Sequence, residues 1–176
     1  DIFERLGDLR MQAGVEANLG LVCAVGSRWE EATRWLNLAR AHFLRLGDVV
    51  HSAEPGLNLG EILVNQRRFD EAEQVLKDSL RTLSSTHFSE GVNYAELQLG
   101  RVLLEQGAFD QVESMLARVQ DEFAAAGQHL AALQAAAVRG LARCRAGAPR
   151  VALEIIDVAR RAAGADAELL IPNVAP

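Results

Sequence analysis

The chain has 176 residues, is 49% apolar and carries a formal net charge of −6, with 24 acidic against 18 basic residues and Lys77 as its lone lysine. That composition supports a sizeable core. It excludes a nucleic-acid partner, because phosphate binding needs clustered Lys and Arg. It also excludes a membrane partner, because no apolar run reaches the roughly 18–20 residues of a span.

Taken in chain order, residues 1–8 align with 41–48 and read as the tail of a preceding helical unit. A first helix hairpin is predicted over 9–46, with helices 9–26 and 29–46 around Gly26-Ser27. A second covers 49–85, with helices 49–66 and 69–85; Leu59, Ile62 and Leu63, then Phe69, Ala72, Val75 and Leu76, follow helical 3-and-4 spacing. A third covers 89–126, with helices 89–106 and 109–126 around Gln106-Gly107-Ala108. A fourth covers 128–163, with helices 128–146 and 149–163, and residues 164–176 form a C-terminal tail. Between hairpins, Gly7-Asp8 and Gly47-Asp48 combine a glycine that ends one helix with an aspartate that N-caps the next. No run alternates with period two, so no strand is expected.

The hairpins are copies of one unit at a period of 40 residues. Gly20, Gly60, Gly100 and Gly140 align, as do Leu36, Leu76, Leu116 and Ile156, and Ala32, Ala72, Val112 and Ala152. An aromatic column reads Trp29, Phe69, Phe109 and Pro149, and another reads Phe3, Phe43, Leu83 and Phe123. Gly7, Gly47 and Gly127 form a further column that fails at His87. A mid-helix glycine costs about 1 kcal/mol relative to alanine, so its recurrence points to close approach of the partner helix. The aromatic column is expected to plug the gap between neighbouring units, and the alanine column to let helices cross closely. Single hairpins cannot bury both faces, so stability comes from stacking.

This pattern, read for example as Leu59-Gly60, Phe69 and Ala72, resembles the tetratricopeptide repeat across nearly the whole chain. The 40-residue form with its Phe-x-x-x-Gly-Asp junction (Phe43 to Asp48) is similar to long repeats of bacterial signalling proteins and of kinesin light chain. The resemblance implies an all-α, right-handed α-solenoid of four antiparallel helix hairpins, forming one domain over residues 1–176. It departs at Pro149, at the 84–89 junction without its glycine, and where the usual Tyr is Cys23, Leu63, Leu103 and Arg143.

The resemblance further implies that the first helix of each hairpin lines a concave face that takes a protein or peptide. The partner-binding candidates are Asn18, Asn58, Glu61, Tyr94, Leu97, Gln98, Arg101, Glu105 and Arg145. Asn18, Asn58 and Gln98 form a carboxamide column one unit apart; each offers a donor and an acceptor to an extended backbone, or else bridges neighbouring helices. The Lys and Asn set that clamps a C-terminal carboxylate in chaperone-binding relatives is missing.

Other residues read as structure. His42, His51, His87 and His129 have no metal-ligand spacing, and Cys23 and Cys144 form no C-x-x-C pair, so no metal or cofactor is expected. Both cysteines read as buried small hydrophobes, and their number favours a cytoplasmic compartment. Trp29 reads as core and Trp35 as partly exposed. Glu30-Glu31 and Asp70-Glu71 open second helices, where the helix dipole favours carboxylates. No nucleophile, acid or phosphate-loop set converges, so an enzyme is not expected. The expected function is a protein- or peptide-binding scaffold, a regulatory module of a larger bacterial protein. The alternatives are a small-ligand sensor of a transcriptional regulator, with an enclosed apolar pocket near Tyr94 and Leu97, and self-assembly into homodimers through uncapped ends.

Overall fold

The hydrogen bonds that turn the chain back recur at every described junction. In a computed structural model, which describes residues 8–85 and 88–164, Arg28 N–H donates to Cys23 C=O (2.8 Å) and Ser27 N–H to Ala24 C=O (2.9 Å). The same pair of bonds forms at Arg68 and Arg67, at Ala108 and Gly107, and at Ala148 and Gly147. It also closes Phe43 to Asp48 and Phe123 to Gln128. Such a pair satisfies the last carbonyls of a helix and needs one residue in the left-handed region. Gly107 (φ 78°) and Gly147 (φ 84°) take that conformation without strain, whereas in the first two hairpins Ser27 (φ 57°) and Arg67 (φ 61°) take it. Gly26, expected to supply the turn, stays at φ −78°.

These turns separate eight α-helices among the described residues: α1 (Leu9–Val25), α2 (Trp29–Arg45), α3 (Val49–Asn65), α4 (Phe69–Ser84), α5 (Ser89–Glu105), α6 (Phe109–Ala125), α7 (His129–Arg145) and α8 (Pro149–Ala163). Asp8 and Asp48 cap α1 and α3, accepting from Met11 N–H (3.0 Å) and His51 N–H (3.2 Å). The second helices lack side-chain caps; α2 and α4 instead carry Glu30 and Glu31, and Asp70 and Glu71, in their first turns. No strand forms among the described residues. The repeated all-helical hairpins expected from the sequence are therefore present, with bounds within a residue or so. The tail at residues 1–8 (apart from Asp8), Gly7, His87 and the tail beyond 164 lie outside the described residues.

The chain divides between Gln98 and Leu99, inside α5, into two compact units. The first holds α1 to α4 and the start of α5; the second holds the rest of α5 and α6 to α8. One packing rule operates in both. In the first unit, a Cβ at Gly20 would lie 2.6 Å from Leu36 Cγ, and one at Gly60 would run into Leu76 in the same way. In the second, a Cβ at Gly100 would lie 2.6 Å from Leu116 Cδ1, and one at Gly140 3.0 Å from Ile156 Cδ1. Leu36, Leu76 and Leu116 are fully buried. Burying each contributes about 1.5–3 kcal/mol, more than the glycine costs. The fit is looser in the last pair, where Ile156 is 41% exposed.

Ala32, Ala72, Val112 and Ala152 are buried, as are Phe43, Leu83 and Phe123. The aromatic column behaves differently from the expectation. Trp29, Phe69 and Phe109 are half-buried and Pro149 is exposed, less enclosed than a side chain filling a gap between hairpins would be. The Arg67 guanidinium covers the Phe69 ring at 5.4 Å. Trp29 is thus not core. Trp35 is half-buried as expected, with Arg34 over its ring.

Candidate functional site

A cleft of the first unit lies between α3 and α5. From α3 it takes Glu54, Leu57, Asn58 and Glu61, which at i, i+3, i+4 and i+7 share one helix face. From the start of α5 it takes Glu90, Gly91, Tyr94 and Gln98, and Phe88 stands just before that helix. Its volume is about 300 Å³. Gly91 leaves room where Phe88 folds back, since a Cβ there would lie 2.6 Å from Phe88 Cδ1.

A second cleft of about 250 Å³ lies between α1 and α3, lined by Leu21, Ala24 and Val25 of α1, Trp29, and Asn58, Glu61, Ile62 and Asn65 of α3. Asn58 and Glu61 line both clefts. This amide and carboxylate of α3 therefore adjoin both a cleft toward α1 and a cleft toward the start of α5.

The electrostatics of the first cleft are one-sided. Glu54, Glu61 and Glu90 line it, and no Lys or Arg does among the described residues. Burial of the Tyr94 phenol pushes its pKa above 10.0, and Glu90 and Glu61 push it the same way by disfavouring a phenolate.

Of the sequence candidates, Asn58, Glu61, Tyr94 and Gln98 come together here. Asn18 is exposed on α1 and lines neither cleft. Leu97 is a correction: at 1% exposure it belongs to the core and does not line the cleft; Gln98, which does, is itself 8% exposed, so of the three only Tyr94 is exposed. The remaining candidates belong to the second unit. There Arg145 pairs with Glu105 (3.1 Å) and donates to Leu104 C=O (3.3 Å), while Arg101 is half-buried. Sequence reasoning left Glu54 and Leu57 out of the final candidate set although they shared the helix face. It missed Phe88 and Glu90 altogether, since they follow the one junction that departs from the repeat.

His42 and His51 serve structure. His42 Nδ1 lies 2.7 Å from Glu16 Oε2, and Glu16, itself buried, also accepts from Gln12 (2.9 Å). His51 Nδ1 lies 2.7 Å from Asp48 Oδ1. Cys23 is buried, but Cys144 is exposed, contrary to the reading of both as core. Position 144 falls on the face of α7 that also exposes Leu141 and Arg145. Among the described residues no three His, Cys, Asp or Glu side chains gather as a metal site, and no helix is long and apolar enough to cross a membrane.

The fold has a solved counterpart. A crystal structure of BtubC (BKLC) from P. vanneervenii matches it with a TM-score of 0.75, over 96% of this chain and 68% of that one. The sequences are 20% identical, a likeness that carries the fold alone. No family model matches the sequence, and no curated protein matches it.

Proposed function

We propose that the protein is a peptide-binding scaffold of tetratricopeptide type, a regulatory interaction module that works in the bacterial cytoplasm and holds an extended partner segment along the first helices. The observation that carries this reading is the sharing of Asn58 and Glu61 by two adjoining clefts. A segment laid across both would meet a carboxamide able to pair with its backbone at the midpoint. The apolar residues Leu21 and Val25, 41% and 89% exposed, supply contact area in the cleft toward α1. The repeat spacing of Gly20, Gly60, Gly100 and Gly140 supports the tetratricopeptide assignment.

The test is selection of extended peptides from a random display library on the wild-type protein, followed by titration of the selected peptides. Asn58→Ala should weaken them about tenfold, while helicity by circular dichroism stays unchanged. Selected peptides indifferent to Asn58, or a library that yields none, overturn the reading.

Self-association is a second reading, favoured by exposed apolar side chains on α1 and α8. Met11 and Val22 are 50% and 62% exposed, and Leu153 and Val158 are 66% and 60% exposed. Mass by light scattering that rises with concentration supports it, and a constant monomer mass excludes it. The small-ligand reading has less behind it, because Leu97 is in the core and the cleft at Tyr94 is lined by carboxylates rather than enclosed by apolar side chains.

A further inference from the structure

We infer that the cleft between α3 and α5 takes a basic peptide segment, with an Arg or Lys side chain seated against Tyr94 and among Glu54, Glu61 and Glu90. The inference rests on the scaffold reading above and names the chemistry of its partner.

Charge complementarity argues for this occupant. Elsewhere in the first unit, several carboxylates have cations beside them: Glu31 with Arg28 (3.2 Å), Glu71 with Arg68 (2.7 Å), Glu73 with Lys77 (2.5 Å) and Asp48 with Arg10 (2.6 Å). Glu54 and Glu61 have no such partner among the described residues. Three carboxylates facing one concavity repel each other, and a cation entering it relieves that repulsion. An acidic segment would add to it.

The cleft is more than a group of acids. Tyr94 and Phe88 expose ring surface to it, 36% and 39% by residue, and aromatic faces attract guanidinium and ammonium groups. Burial first, and then Glu90 and Glu61, raise the Tyr94 pKa, which places both carboxylates near the phenol. Asn58, half-buried on α3, offers a donor and an acceptor suited to the backbone that carries the side chain. A volume of about 300 Å³ is at the small end of ligand sites and fits one long side chain. The net charge of −6 favours encounter with a basic partner.

The experiment is fluorescence anisotropy with labelled peptides of equal length, one alternating Arg and Ser, one Gln and Ser, one Glu and Ser. The Arg peptide should bind, the Glu peptide should not, and affinity should fall as salt is raised. Glu54→Gln and Glu61→Gln should each weaken it about tenfold. Tyr94→Ala should weaken it while Tyr94→Phe keeps it, and Glu30→Gln, on an exposed site of α2, should change nothing. Circular dichroism checks that each variant is folded. Failure of the Arg peptide to bind, or binding that ignores Glu54 and Glu61, overturns the inference. If library-selected peptides are not basic yet depend on Asn58, the basic occupant fails and the scaffold reading stands. If neither the library nor the Arg peptide binds, both fail.

Discussion

Leu36 packs directly onto Gly20, so that a methyl group at residue 20 would lie 2.6 Å from Leu36 Cγ and 3.3 Å from the Leu36 backbone nitrogen. The contact joins the middle of α1 to the middle of α2 and recurs between Gly60 and Leu76 and between Gly100 and Leu116. A branched side chain thus fills the space vacated by a missing side chain on the facing helix. This sets how closely the two helices of a hairpin approach, and it does so again in each copy.

Core depth separates two phenylalanines of α6. Phe123 is 1% exposed, whereas Phe109 at the helix start is half-buried. Phe123→Ala should cost about 3–5 kcal/mol and Phe109→Ala roughly half as much or less. Urea unfolding of the two variants measures the difference; equal losses would mean that Phe109 fills an inter-unit gap after all.

The hairpin turns give a prediction in the opposite direction. Ser27 holds φ at 57° where Gly107 and Gly147 stand in the later hairpins. Ser27→Gly should stabilise the protein by about 0.5–1 kcal/mol by relieving the left-handed strain. Arg67→Gly should gain less, because it also removes the guanidinium stacked over Phe69. Thermal unfolding midpoints check both, and a lowered midpoint for Ser27→Gly would contradict the turn assignment.

The glycine columns made the fold legible from sequence, because glycine in a helix interior has a cost and a recurring cost has a packing cause. The helix ends were legible for a similar reason: Asp8 and Asp48 sit where caps belong, and they are caps. The site was only partly legible. Asn58, Glu61, Tyr94 and Gln98 follow the repeat and were found; Phe88 and Glu90 follow the irregular junction after α4, where the columns no longer give register. Leu97 and Cys144 were misread because helical spacing fixes a face only to within about a residue, and one step of about 100° moves a side chain from groove to core. The half-burial of Trp29 depends on groove shape, which no spacing encodes.

Tyr94 is the protein's single tyrosine, so the phenolate absorbance reports that residue alone. Its titration should fall above 10.0 in the wild type. Glu61→Gln and Glu90→Gln should each lower it toward that value, and the double variant should stay above it, because burial is the larger cause. A titration unmoved by either substitution would place both carboxylates away from the phenol.

Asp48 links pH to stability. Its carboxyl is held below the ordinary 3.8 chiefly by the side-chain hydrogen bond with His51, against the opposing effect of burial; the His51 backbone N–H and the charges of His51 and Arg10 act with the hydrogen bond. A depressed folded-state pKa contributes stability that is present above the unfolded value and is lost as pH falls through the folded one. Asp48→Asn retains a cap for α3 but loses the charge. The gap in urea midpoint between wild type and Asp48→Asn should therefore be wide at neutral pH and close as pH drops below 3.8. A gap independent of pH would sink the assignment.

The interlocking of glycine with a facing branched side chain is tested most directly by a double-mutant cycle on Gly20 and Leu36, read by urea unfolding. Gly20→Ala alone should destabilise by about 1–3 kcal/mol despite alanine's better helix propensity, since buried Leu36 has nowhere to move. Leu36→Ala alone should cost about 2–5 kcal/mol. In the Leu36→Ala background, Gly20→Ala should become neutral or stabilising, as it already should be for Gly14→Ala, where a Cβ meets nothing within 4 Å. Strict additivity, with Gly20→Ala costing the same whether or not Leu36 is present, would contradict the account.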